Sequence, residues 1–423
     1  MPSVQSAKGE LSANRTKALL SKRYTKGTLD LQQQAALEEA ATGVPLIAGN
    51  KTTLLFDGPQ TMSQMLQAIE SARDHINLET YIFDQDEMGL KFADALIAKR
   101  RAGVAVNIIY DSVGTIGVPA AFFQRMREAG IALLEFNPVN PAKVSGSDWK
   151  VNNRDHRKVL IVDGRMAFAG GINISATYSK SSLFRSKKKP TDESDVGWRD
   201  THIKVEGPAV QAFQWLFVRQ WASQDRSDLT DANFFPNPII AGDKVVRVLG
   251  SEPGGHFEIY KAYNLAMQES KKSIHITSAY FVPDQQTVTA LKAAAQRGVD
   301  VRLVLPGVSD SGLVFHAGRS FYDELLEAGV KIYQLKLAVL HAKTAVIDGK
   351  WSTVGSTNLD TRSFLHNSEI NVVVLGEQFG NEMERAFQED LRGSVEITLE
   401  QWRKRAWSDR LKEWAAQLTN YWL

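Results

Sequence analysis

Two segments of the chain carry the same reactive side chains at the same spacing. His156 and Lys158 open HRKVLIVDGRMAFAGGINIS; His341 and Lys343 open HAKTAVIDGKWSTVGSTNLD. His, Lys, Asp, Gly and Asn fall at matching offsets, 156, 158, 163, 170 and 173 against 341, 343, 348, 355 and 358. A single His-x-Lys is usually a solvated strand edge, but a second copy matched at every one of these positions argues for function. The residue types suit phosphodiester chemistry. An imidazole attacks phosphorus and also shuttles a proton. Two imidazoles and two ammonium groups supply a nucleophile, a general acid and a cationic cradle for phosphoryl oxygens. Such a site calls for no metal and no cofactor, and no convincing acidic metal-ligand cluster is visible in the sequence.

In a strand, residues two apart share a face, so each His stands beside its Lys. Asp163-Gly164 and Asp348-Gly349 are two-residue hairpin signals, and each segment reads as a hairpin. Beyond the return strand come Gly170-Gly171 or Gly355-Ser356, then Asn173 or Asn358. Small residues there admit backbone amides close to an anion, and Asn donates a side-chain hydrogen bond. Gly171, Ser356, Asn173 and Asn358 are therefore the candidate substrate-binding residues. Asp163 and Asp348 join the candidate catalytic set as members of the motif. Their Asp-Gly setting makes them turn residues, expected to hold the hairpin or neighbouring charges rather than to touch phosphate.

The repeat extends upstream. INLETYIFDQ (76–85) matches IHITSAYFVP (274–283) as a buried strand, and each precedes a helical pattern that stops at Gly103 or Gly298. A second strand and a further helix-to-strand unit follow in each half. Strands alternating with helices predict an α/β fold whose sheets are mixed and mostly parallel, flanked by helices. The expected organisation is a basic arm over 1–49, one α/β domain over 50–235, a second over 236–395, and a Trp-rich helix over 396–423, with FFPNPIIAGD (234–243) as linker. The aromatics Tyr81, Phe83, Tyr280 and Phe281 at the strand ends read as core more readily than as pocket lining.

Composition agrees with a large folded body. The chain has 423 residues, 43% hydrophobic and 23% charged, a length that favours two domains. Its net charge of +2 provides no global field for a polyanion, so anion binding must be local. The absence of cysteine excludes disulfides and thiolate metal sites. No uncharged apolar run reaches the ~18 residues of a spanning helix, and the polar, basic first thirty residues lack a signal-peptide core. Membrane attachment is therefore expected to be peripheral.

The repeated H-x-K-x4-D-x6-G-[GS] pattern resembles the phospholipase D superfamily. Within it, YFVPD (280–284), RDHRK (154–158) and WSTVGSTNLDTRSFLHNSEIN (351–371) resemble bacterial cardiolipin synthases. The resemblance covers residues from about 50 to 423. It implies two pseudo-twofold related α/β domains with one active site at their interface. It implies a phosphohistidine intermediate on His156, with His341 as acid and base, although the near symmetry of the motifs leaves these roles exchangeable. It places an acid downstream of each motif to orient a histidine: Glu369 is expected to serve His341, and Asp200 to serve His156. The implied activity is phosphatidyl transfer on phosphatidylglycerol or a related glycerophospholipid, with hydrolysis to phosphatidic acid as the alternative. A nuclease is disfavoured by the modest charge and by the lack of an extended basic, aromatic-interleaved face. An inactive scaffold is disfavoured because both motifs are intact.

Other features point to an anionic membrane surface, at the inner membrane of a bacterium with the face left open. Trp407, Leu411, Trp414, Leu418 and Trp422 form an apolar helical stripe, flanked by Arg403, Lys404, Arg405, Arg410 and Lys412. Docking of that helix on the protein core is the competing reading. Two basic stretches add attraction: Arg15, Lys17, Lys22, Arg23 and Lys26 in the arm, and Lys180, Arg185, Lys187, Lys188 and Lys189 after the first motif. Nothing in the sequence specifies an oligomeric state.

Overall fold

The computed structural model describes residues 1–23, 26–140, 151–179, 197–224, 229, 231–309 and 311–417. The basic loop Lys180–Lys189 and the stripe residues Leu418 and Trp422 lie outside them.

Both halves build the same sheet from the same local signals. In the first, the buried strand His75–Thr80 leads through helix Glu87–Arg101 to strand Ala105–Asp111, and through helix Ala120–Glu128 to strand Ala132–Phe136. In the second, Ser273–Ser278 leads through Gln285–Gln296 to Asp300–Pro306, and Tyr322–Glu327 precedes Lys331–Leu335. The first helix of each half starts where an aspartate, Asp86 or Asp284, accepts hydrogen bonds from the opening backbone amides.

These three strands pair in parallel in each half. The motif hairpins then add antiparallel strands: Val159–Val162 with Met166–Gly170, and Lys343–Ile347 with Trp351–Gly355. His202–Glu206 and Asn367–Leu375 extend the two sheets inward. At the centre Leu46–Leu55 pairs antiparallel with Lys244–Ser251, joining both halves into one mixed sheet about a pseudo-twofold axis. The motif hairpins contribute antiparallel pairs to each sheet, because the two strands of a hairpin run in opposite directions.

Asp163 and Gly164 have φ of 53° and 60°, and Asp348 and Gly349 have 53° and 63°. These left-handed pairs turn each hairpin, closed by Arg165 N–H to the Val162 carbonyl or Lys350 N–H to that of Ile347. Three residues connect each pair of strands, one more than the Asp-Gly signal suggests.

The N-terminal segment packs into the core. Val4, Leu20, Leu31, Ala35 and Leu46 are buried in the core of the second half with Tyr263 and Trp351. Glu38 lies beneath them, paired with Arg247 and accepting Trp351 Nε1–H at 2.7 Å. Arg23 donates to the carbonyls of Leu19 and Asp243, both at 2.7 Å. Strand Leu46–Leu55 runs across residue 49, the expected arm boundary. The Trp-rich terminus is also divided: strand Ser394–Ile397 pairs with Lys331–Leu335, then come helices Leu399–Arg403 and Trp407–Gln417. Among the described residues, no helix is long and apolar enough to cross a membrane.

Candidate active site

His156 and His341 line one cavity of about 340 Å³ between the two halves. Each is delivered by a two-residue strand that ends at the residue before it. Arg154–Asp155 pairs in parallel with Asn367–Ser368, and Val339–Leu340 pairs in parallel with Trp198–Arg199. These are crossings: each approach strand lies against a strand of the other half.

The crossings reverse the expected acid assignment. Glu369 lies beside His156, its oxygens 3.0 and 3.2 Å from Nδ1. Asp200 lies beside His341, with Oδ2 at 2.7 Å from Nδ1. Asp200 directly follows strand Trp198–Arg199, and Glu369 directly follows the two residues of strand Asn367–Leu375 that pair with the other motif, so pairing across the dyad, not position along the chain, decides which ring each acid meets. With Nδ1 held by a carboxylate, Nε2 of each ring is the nitrogen left to react.

Two arginines of the first half clamp the crossings. Arg199 Nε reaches Asp390 Oδ1 at 2.6 Å and its Nη2 reaches Oδ2 at 3.0 Å. Arg157 donates to the carbonyls of Glu369 and Ser251, each at 3.1 Å. Charge-assisted bonds in buried surroundings make this seam rigid.

The remaining sequence candidates divide. Lys158 and Lys343 are buried, each donating from Nζ to the carbonyl of its own histidine. Asn173 and Asn358 line the cavity. Asn173 accepts Ile82 N–H at 3.1 Å and donates to the Tyr178 hydroxyl at 2.9 Å. Gly171 and Ser356, expected at the substrate, instead serve the acids. A Cβ on Gly171 would stand 2.2 Å from Asp200 Oδ1, so only glycine leaves room for that carboxylate. At the matching place the Ser356 hydroxyl donates to Glu369. Asp163 and Asp348 lie at the far ends of the hairpin strands, roughly 20 Å along the chain from the histidines at 3.3 Å per residue. Asp163 accepts the amides of Arg73, Asp74 and His75; Asp348 accepts those of Leu29, Lys271, Lys272 and Ser273. They pin the hairpins to the strand that begins beside them, in keeping with the turn role expected of them, and do not line the cavity with the histidines.

The cavity also holds Tyr178 and Trp198, which the sequence did not single out, and Tyr81 and Tyr280, which it read as core more readily than as pocket lining. Tyr178 and Trp198 flank His341, with ring centroids at 5.7 and 5.2 Å; Tyr280 stands at 6.4 Å. Tyr81 meets His156 edge-on at 5.1 Å, whereas Phe83 and Phe281 are core. Arg154, Arg362, Asp360 and Asn367 also line the cavity. One signal was available: Trp198 and Asn367 each stand two residues before an acid, hence on the same strand face.

Burial and charge set the protonation states. Burial pushes the His156 ring below its ordinary value, and the lysines add to this against the opposing pull of Glu369. Burial pushes Glu369 up, but His156 and Lys158 outweigh it, and the carboxyl stays below its ordinary value. The site therefore starts with a neutral His156 against an ionised acid. Burial lowers Lys158 to about 7 and raises Asp200 to about 6. A rate profile follows. For a soluble phosphodiester, kcat/KM should rise as pH passes through about 6, where Asp200 ionises and holds His341. It should fall above about 7, where Lys158 loses its charge. A rate still climbing well above neutral pH would contradict this role of Lys158.

The sequence matches the family described as "Cardiolipin synthase, PLD-like domain" over residues 65–183 and 264–391. It is 39% identical to cardiolipin synthase 1 of Bacillus anthracis over 380 residues, covering 88% of this chain and 72% of that one. Against the cardiolipin synthase of Geobacillus kaustophilus the identity is 36% over 378 residues, with the same coverage. The fold is similar to phosphatidylserine synthase from Haemophilus influenzae, with a TM-score of 0.66 and 13% identity over 92% of this chain and all of that one. It is also similar to polyphosphate kinase from Porphyromonas gingivalis, with a TM-score of 0.53 and 12% identity over 83% of this chain and 49% of that one. On the matched residues and the extent of identity, the chain belongs to the cardiolipin synthase family of phospholipase D-like enzymes.

Proposed function

We propose that the protein is a phosphatidyltransferase that forms cardiolipin from phosphatidylglycerol, through a phosphohistidine intermediate. The observation that carries this reading is the pair of histidines in one cavity, each backed by a buried acid of the other motif's neighbourhood. Nε2 of His156 attacks phosphorus, and the bond from phosphorus to the glycerol oxygen breaks. His341 gives that oxygen its proton and glycerol leaves. His341 then takes the proton from a hydroxyl of a second phosphatidylglycerol, whose oxygen attacks phosphorus as the phosphorus–nitrogen bond breaks. Lys158 and Lys343 offset the charge on the phosphoryl oxygens. The rings of Tyr178, Trp198 and Tyr280 offer an apolar wall to the glycerol backbone near His341.

The test is incubation of the purified chain with phosphatidylglycerol vesicles in chelator, with the lipids read by mass spectrometry. Cardiolipin as main product is expected. Phosphatidic acid instead would make water the acceptor. No lipid product, with cleavage of DNA or RNA in a parallel reaction, would overturn the assignment.

A further inference from the structure

The helix Trp407–Gln417 is packed with its apolar face outward. Trp407, Leu411 and Trp414, at steps of four and three, are 76%, 53% and 59% exposed. On the opposite side Glu413 and Ala416 are 2% and 3% exposed. An amphipathic helix that merely docks on a protein does the reverse. The inward face is fixed by charge. Glu413 Oε1 accepts Arg319 Nε at 3.0 Å, and its Oε2 accepts Arg405 Nε at 3.0 Å. Arg405 also reaches Asp323 at 2.7 Å, and both guanidiniums stack on the buried Trp402. Asp409 turns toward Arg319 as well. With its acids drawn inward, the helix shows solvent two tryptophans, a leucine, and the exposed cations Arg410 and Lys412, with Arg403 and Lys404 just before it.

The support for this helix is Gly312–Arg319, which packs along it. That same supporting helix contributes Val314 to the active-site cavity and leaves Leu313 49% exposed. One helix therefore separates the outward stripe from the catalytic histidines.

We propose that Trp407, Leu411 and Trp414 form the surface by which the protein lies on an anionic bilayer, bringing the cavity to its lipid. The occupant follows from charge complementarity. A face of indoles and a leucine bordered by Arg and Lys fits the headgroup boundary of an anionic leaflet. The proposal rests on the reading of the substrate as a phospholipid for its purpose, and on the packing of this helix for its geometry.

The experiment uses the whole chain and the combined variant Trp407→Ser, Leu411→Ser, Trp414→Ser, whose positions lie outside the cavity. Flotation is run with phosphatidylcholine vesicles with and without phosphatidylglycerol. Binding to the anionic vesicles should fall at least about tenfold in the variant. Its far-UV circular dichroism and its turnover of a monomeric short-chain phosphatidylglycerol should stay unchanged. The catalytically disabled His156→Ala chain should float like the unaltered one, so failure of the proposed reaction and failure of this surface are read separately. Undiminished flotation of the triple variant overturns the proposal. So does a dimer of the unaltered chain that the variant converts to monomer without loss of flotation, since the stripe would then cover a second copy.

Discussion

His156→Ala is expected to lose at least about 10^4-fold in kcat/KM, some 5 kcal/mol of transition-state stabilisation, because the proposed mechanism makes its ring the nucleophile. The ring is buried but contributes little apolar packing, so cooperative unfolding should persist. His341→Ala should lose as much with a lipid substrate, whose poor leaving group needs a proton. The two variants separate on a phosphodiester with a nitrophenol leaving group. There attack needs no acid, so His341→Ala should give one burst of nitrophenol and then hold a stable phosphohistidine, detectable by intact-protein mass spectrometry. His156→Ala should give no burst. The opposite pattern would exchange the two roles, and near-normal turnover by either variant would refute the paired-histidine mechanism.

Glu369→Gln and Asp200→Asn should each cost about 10^2- to 10^4-fold in kcat, since an amide holds the wrong tautomer and does not stabilise an imidazolium. The crossed pairing makes a sharper prediction. Glu369 raises the pKa of His156 against burial and the lysines. Removing its charge should therefore lower that pKa further, whereas Asp200→Asn should leave it close to where it was. Imidazole titration by NMR reads this directly. A drop at His156 caused by Asp200→Asn, with none from Glu369→Gln, would restore the assignment by position along the chain.

Much of the site is legible in the sequence because the repeat is. His156, His341, Lys158, Lys343, Asn173 and Asn358 follow from matched offsets, but the histidines stand just before the hairpin strands, which begin at Val159 and Lys343, so strand alternation does not set each His beside its Lys. Asp-Gly announces the hairpin turns, and the left-handed φ at both residues is the physical content of that signal. What escapes is whatever depends on the other half. His156 and Glu369 are 213 positions apart, and His341 and Asp200 are 141 apart. Local pattern reports which face of a strand is buried, not against which strand. Gly171 and Ser356 illustrate the same limit. Their small size is visible, but the carboxylates it accommodates come into place only once the sheet is assembled.

The terminal segments show the difference most plainly. Periodicity identifies Trp407, Leu411 and Trp414 as a single stripe. Whether the stripe faces in or out is decided by Glu413 meeting Arg405, eight positions away, and Arg319, 94 positions away. Likewise the N-terminal segment reads as polar and basic, yet its sparse apolar residues find a place in the core beside Trp351. The sequence by itself indicated the reactive groups, two histidines and two lysines at the feet of twin hairpins, since residue type and turn signals are local properties. Only the tertiary structure decided which acid holds which histidine and which face of the last helix meets solvent, since both depend on pairing and burial between segments far apart in the chain.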